Sequence, residues 1–239
     1  MESGSRSSSL PQSSPRTAAK SATSTLTQKY YTTALLLYYI TARTQFAGDE
    51  ASRRRALLDK IAEAARCNLD FIQLREKDLC GRELEALARE AVRTVRENSS
   101  QTRLLINSRT DVAIACGADG VHLRSEDVSA GEVREVWGHS LGAAPVVSVS
   151  CHTRTEVANA AAEEAGFAIF APVFEKEGSS GAGLSVLRAA CEHPIKVLAL
   201  GGIKLRNARA CVEAGAAGVA GIRLFQENDV ARVVGALRG

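Results

Sequence analysis

Aromatic residues make up only 5% of this 239-residue sequence. That is too few to expect the stacking platforms on which single-stranded nucleic acids are held. Charge of one sign is also scarce. The net charge is +3, with basic and acidic residues interspersed, which excludes the strong electrostatic footprint of a nucleic-acid binder. Close cysteine pairs are missing: Cys67, Cys80, Cys116, Cys151, Cys191 and Cys211 are scattered. This pattern suits buried thiols in a reducing compartment better than disulfides or a zinc site, and a cytoplasmic location is expected. No apolar run exceeds Ala34–Ile40, far short of the roughly 20 residues that cross a bilayer. No membrane contact is expected.

What is present describes a globular chain, with 45% hydrophobic and 24% charged residues. Residues 1–32 stand apart. They are rich in Ser and Thr, carry Arg6, Arg16, Lys20 and Lys29, and hold one acidic residue, Glu2. Such a segment buries too little apolar surface to offset its ordering entropy. It is expected to be a disordered basic tail, although its composition leaves a transit peptide open. From residue 33 to 239, short apolar runs alternate with segments of helical spacing. The runs are Ala34–Ile40, Asp70–Leu74, Arg103–Ile106, Gly120–Leu123, Pro145–Val149, Phe167–Ala171, Lys196–Leu200 and Gly218–Ile222. Eight strands and eight helices in strict alternation predict an α/β chain closed as a (β/α)8 barrel. A doubly wound sheet is the runner-up, but no glycine-rich dinucleotide fingerprint follows the first strand. Two near copies, Ala115–Val121 and Glu213–Val219, read as echoes of one βα unit.

In such a barrel, chemistry gathers at the C-terminal ends of the strands. After the second strand the chain reads Phe71-Ile72-Gln73-Leu74-Arg75-Glu76-Lys77. Strand alternation would place Gln73, Arg75 and Lys77 on one face, an amide beside two cations that suits a phosphate or pyrophosphate. Asn107 and Ser108 follow the third strand. Asp127, after the fourth, could hold Mg2+ with phosphate oxygens or simply cap a helix. Ser150 and His152 follow the fifth strand, and His152 could serve as a general acid or base. His122, inside its strand, reads as structural. Gly201-Gly202 and Gly221-Ile222 end the last two strands, where backbone amides can cradle a phosphate.

In order along the chain, YYIT, FIQLREKD, LLINSR, GADGVHLRSEDV, VSVSCHT, APVF, LALGGI and AGAAGVAGI resemble thiamine phosphate synthases and their relatives, the thiazole tautomerases. The resemblance spans Tyr38 to Leu237. It implies a (β/α)8 barrel joining hydroxymethylpyrimidine pyrophosphate to a thiazole phosphate, with release of pyrophosphate and Mg2+ as cofactor. It assigns Gln73, Arg75 and Lys77 to the pyrimidine and its pyrophosphate, and Asn107, Asp127 and Ser150 to the pyrophosphate and metal site. Gly201, Gly202 and Gly221, with Ile222 and Gly183 beside them, fall to the thiazole phosphate. The chain departs from the synthase pattern at Ser108, where an Asp is expected, and in the loop Phe174–Gly181, which lacks two threonines and a lysine. Lys176 could replace that lysine, and Ser108 would bind a metal only weakly or through water. A tautomerase using His152 is the alternative, and a non-catalytic binder of phosphorylated ligands a further one. A homo-oligomer is compatible with the sequence.

Overall fold

The structure is a computed structural model that describes Met1 and residues 35–141, 144–175 and 180–239. The chain divides into two units, Met1–Thr32 and Thr33–Gly239, and the expected tail lies outside the described residues. Among those residues, eight parallel strands close into a barrel in sequence order. They are β1 (Leu36–Ile40), β2 (Phe71–Leu74), β3 (Arg103–Asn107), β4 (Gly120–Leu123), β5 (Val146–Cys151), β6 (Phe167–Phe170), β7 (Val197–Ala199) and β8 (Gly218–Gly221). Closure is direct, with Leu36 of β1 opposite Gly218 of β8.

The helices are α1 (Glu50–Arg66), α2 (Gly81–Asn98), α3 (Thr110–Cys116), α4 (Ala130–Leu141), α5 (Arg154–Ala162), α6 (Gly183–Ala190), α7 (Leu205–Glu213), α8 (Arg223–Gln226) and α9 (Val230–Arg238). The expected alternation is present, with one addition: α8, a single turn between β8 and the last helix. Four residues are too few to show a helical period.

Strand alternation sorts the core into two layers. Leu37, Tyr39, Ile72, Leu74, Leu104, Ile106, Val121, Leu123 and Val147 pack outward with the helices' apolar stripes, such as Leu57, Ile61 and Ala64 of α1. The intervening residues face the barrel interior. There Tyr38, Phe71 and Phe167 stack with centroids 4.6–5.8 Å apart. This aromatic plug fills the interior beneath the polar residues of the mouth. The two sequence echoes have a shared cause: a Cβ on Gly120 would stand 1.8 Å from the Val146 carbonyl, and one on Gly218 2.2 Å from that of Leu36. Both glycines let a neighbouring strand approach closely. All six cysteines are unpaired. Cys116, Cys151 and Cys211 are buried, whereas Cys80 is exposed at the start of α2.

Candidate active site at the barrel mouth

Strand β2 ends at Leu74, so strand alternation brings only Gln73 to the interior face. Arg75 and Lys77 reach the mouth on the loop that follows. An ion cluster around buried Arg43 and Glu76 holds this loop. Arg43, in a 3-10 turn after β1, is 4% exposed and contacts Glu50 at 2.6 Å, Asp78 at 2.9 Å and Glu76 at 3.3 Å. Glu76 also accepts from the Thr41 hydroxyl at 2.6 Å, and the Arg75 amide donates to that hydroxyl at 2.9 Å. Burial raises the Glu76 pKa against the opposing pull of Thr41 and Arg43. A charge this deeply placed is tolerable only with such partners. The sequence does not reveal the pairing, because Arg43 and Glu76 meet only when β1 and β2 lie side by side.

Arg75 is half-buried, and desolvation pushes its pKa down while Glu76 opposes the shift. The Lys77 pKa is lowered first by Arg75, then by burial and by Arg124. Lys77 is therefore within electrostatic reach of both Arg75 on its own loop and Arg124 on the next. Arg124 is the residue that sequence reasoning missed. A lone arginine after β4 carries no signal until the fold sets it beside Lys77.

Asp127 completes this corner. Its carboxylate accepts from the Arg124 amide at 2.8 Å and from the Arg124 guanidinium at 2.9 and 3.2 Å. Burial works against its charge, but Arg124 and Ser108 outweigh that and hold the pKa below the usual carboxylate range. It does not cap α4. Ser129 does, accepting from the Glu132 amide while the Glu132 carboxylate accepts from the Ser129 amide at 2.8 Å, a capping box. Asp127 is thus left for other work. Among the described residues, no three His, Cys, Asp or Glu side chains stand close enough to hold a metal ion by themselves. A Mg2+ ion takes one or two carboxylates, with substrate phosphates and water filling the rest. One carboxylate beside a hydroxyl fits that pattern when a phosphorylated ligand supplies the other oxygens.

Below the cations lies a polar floor. Gln73 is buried and donates to Asn107 Oδ1 at 2.8 Å, and Asn107 donates to Ser108 Oγ at 3.1 Å. Ser108 sits at φ 58°, the left-handed region that Asn and Asp enter more readily. His122 points inward from β4, with Nδ1 2.9 Å from Ser148 Oγ and Nε2 2.9 Å from Ser150 Oγ. Burial first, then Arg75, pushes its pKa down to about 3, so the ring is neutral. His152 stands outside this group. It is exposed, its Nδ1 contacts the Ala171 carbonyl at 2.7 Å, and its amide donates to Glu156. A carbonyl only accepts, so Nδ1 is the donor in this contact.

The far side of the mouth is backbone. Gly201 and Gly202 take φ of 95° and 65°. A Cβ on Gly201 would stand 2.6 Å from Pro172 Cα, and one on Gly202 2.8 Å from Phe174 Cβ. Among the described residues, no backbone carbonyl accepts from either glycine's amide. Gly221 and Ile222 enter α8, and Gly183 opens α6. Lys176 lies outside the described residues.

The chain as a whole is similar to known proteins. The family model described as thiamine monophosphate synthase matches residues 37–225. A putative thiamine-phosphate synthase of Geobacter sulfurreducens is 42% identical over 189 residues, covering 77% of this chain and 83% of that one. A thiamine-phosphate synthase of Methanoculleus marisnigri is 37% identical over 212 residues, with 84% and 93% covered. Among solved structures, the thiamine phosphate pyrophosphorylase from Pyrococcus furiosus superposes with a TM-score of 0.71 at 28% identity, covering 85% of this chain and 94% of that one. The chain belongs to the thiamine monophosphate synthase family.

Proposed function

We propose that this protein is a thiamine-phosphate synthase, joining hydroxymethylpyrimidine pyrophosphate to a thiazole phosphate. The observation that carries the reading is the corner of Arg75, Lys77 and Arg124 beside Asp127, set over the amide floor of Gln73 and Asn107. In the reaction, the bond from the pyrimidine's methylene carbon to the pyrophosphate oxygen breaks, and its electron pair leaves with pyrophosphate. The thiazole nitrogen then supplies the pair that forms the new C–N bond. Charge grows on the leaving group, so Arg75 and Lys77 are the catalytic side chains. Preorganised cations aimed at developing negative charge act mainly on the transition state. Gln73 holds the pyrimidine in place, and Asn107 and Ser150 stand where the ring meets its pyrophosphate. The amides of Gly201, Gly202, Gly221 and Ile222, with Gly183 beside them, receive the thiazole phosphate and fix the nitrogen's line of attack.

Asp127 is the protein ligand for Mg2+, with Ser108 contributing through water. When bound with the pyrophosphate, the ion would neutralise oxygens that the cations do not reach. His152, exposed and tied to the Ala171 carbonyl, has no part in pyrophosphate departure. The test is turnover of both substrates by the purified full chain, with and without Mg2+. Formation of thiamine phosphate and pyrophosphate in equal amounts supports the reading. No product at saturating substrates would overturn it.

A further inference from the structure

Beneath the mouth, one file of hydrogen bonds crosses the barrel from β3 to β5. Ser108 accepts from Asn107 Nδ2 at 3.1 Å, and Asn107 Oδ1 accepts from Gln73 Nε2 at 2.8 Å. Gln73 Oε1 accepts from the Tyr38 hydroxyl at 3.2 Å. Tyr38 lies 3.4 Å from Ser148 Oγ, which is 2.9 Å from His122 Nδ1. His122 Nε2 is 2.9 Å from Ser150 Oγ. Tyr38, Gln73, His122 and Ser148 are all buried.

Such a file has two self-consistent directions. Each amide has one donating and one accepting end, each hydroxyl has one proton, and a neutral imidazole donates from one nitrogen only. If Ser108 gave its proton to Asn107, every later link would reverse. The amide ends decide: Nδ2 of Asn107 faces Ser108 while its Oδ1 faces Gln73 Nε2. Ser108 therefore accepts in this file. Gln73 must then present Oε1 to Tyr38. Tyr38 gives its proton to Gln73 and accepts from Ser148, and Ser148 accepts from His122 Nδ1–H.

We propose that this file, running from Ser108, fixes His122 as the Nδ1–H tautomer and thereby makes Ser150 a hydrogen-bond acceptor toward the ligand. Ser150 gives its only proton to the bare Nε2 of His122, which leaves its lone pairs facing the mouth. His122 is a positioning residue: it touches no substrate and acts through Ser150. Its neutrality, maintained by burial, permits the arrangement, because an imidazolium would donate from both nitrogens. On the synthase reading above, the group that meets Ser150 is an N–H donor, an amine on the substrate's pyrimidine ring. A ring bearing only an acceptor there would meet oxygen against oxygen.

The tautomer can be read directly by 15N NMR on the ligand-free full chain with labelled histidine, the His122 signals being assigned by their loss in His122→Gln. The expected spectrum shows a protonated Nδ1 and a bare, strongly downfield Nε2. Ser108→Ala cuts the file at its anchor and should give a mixture of tautomers. A protonated Nε2 in the wild type, or a pure Nδ1–H tautomer that persists in Ser108→Ala, would overturn the proposal. A second arm compares the pyrimidine pyrophosphate with an analogue whose ring amine is replaced by hydrogen. Wild type should bind the analogue about tenfold more weakly, the worth of one such hydrogen bond, and Ser150→Ala should no longer distinguish the two. Equal binding of both by wild type would also overturn it. A wrong tautomer in an enzyme that makes thiamine phosphate refutes this inference alone. A correct tautomer in a protein without turnover refutes the synthase reading and leaves the inference standing.

Discussion

From β2 to β5 the mouth of the barrel is furnished by side chains: Gln73, Arg75, Lys77, Asn107, Asp127 and Ser150, of which Gln73, Asn107, Asp127 and Ser150 are hydrogen-bonded to neighbours. From β6 to β8 it is furnished by backbone, with Gly201 and Gly202 pressed against Pro172 and Phe174. The two sides fail in different ways. The first can lose a charge or a hydrogen bond and keep its shape, so its variants should fold and bind or react poorly. The described part of the second is shaped by glycine main chain. Its variants change the main chain, and stability and binding should fall together.

The largest break in that contrast comes from Arg75→Ala. Losing a cation that meets the leaving pyrophosphate should lower kcat by about 100-fold or more with the thermal midpoint nearly unchanged, while His152→Ala should leave kcat within about threefold (Arg75 bearing on transition-state charge and His152 not). Steady-state kinetics with thermal melts check both, and the reverse order of effects would restore a role for His152. Gly201→Ala probes the other side. A methyl group at φ 95° facing Pro172 should cost roughly 1–3 kcal/mol, a fall of several degrees in melting temperature, together with weaker thiazole phosphate binding. Unchanged stability would show that the loop after β6 yields easily.

Acid stability sharpens the same comparison, because the side-chain half carries a buried imidazole and the glycine half has none. His122 has a pKa of about 3 folded against 6.5 as its ordinary value, so between these values the unfolded chain binds the extra proton. Stability therefore rises with pH across that window. The full contribution is present above about pH 6.5 and is lost as pH falls toward 3. His122→Gln should flatten the profile by on the order of a few kcal/mol, seen in urea titrations at pH 7 and pH 4.5. Identical pH dependence in the variant would place the acid sensitivity elsewhere. The smallest effect is expected from Ser108→Asp. It adds a hard oxygen ligand at a left-handed position that Asp enters more readily than Ser. Calorimetry should show Mg2+ binding in the presence of pyrophosphate strengthened by up to about tenfold.

The fold was legible in the sequence because its signal repeats. Apolar runs and amphipathic segments alternate at one period, and the strands differ from expectation by one or two residues at their ends. α8 escaped notice because one turn has no period. Within the site, residues that sit at strand ends or glycine turns could be placed by position alone. Partners could not. Arg124 near Lys77, Arg43 beneath Glu76, and Ser148 and Ser150 around His122 are contacts between neighbouring strands or loops. Only barrel closure creates them. His122 was readable as buried, yet what it holds belongs to β5. Arg75 and Lys77 met at the mouth by a loop rather than by the strand alternation that suggested them.

The ion cluster under Arg43 has a consequence for how this protein would respond to mutation. Glu50 stands in the solvent-facing first turn of α1, yet its carboxylate touches Arg43, and Arg43 and Thr41 share Glu76 as their partner. Thr41 in turn receives the Arg75 amide. A surface position is therefore two side chains removed from the loop that carries Arg75 and Lys77. A random-mutagenesis screen scored on activity should recover substitutions in the first turn of α1 that no map of substrate contacts would nominate. Combined with changes at Asp78, they should show strong epistasis, since both carboxylates share a single guanidinium.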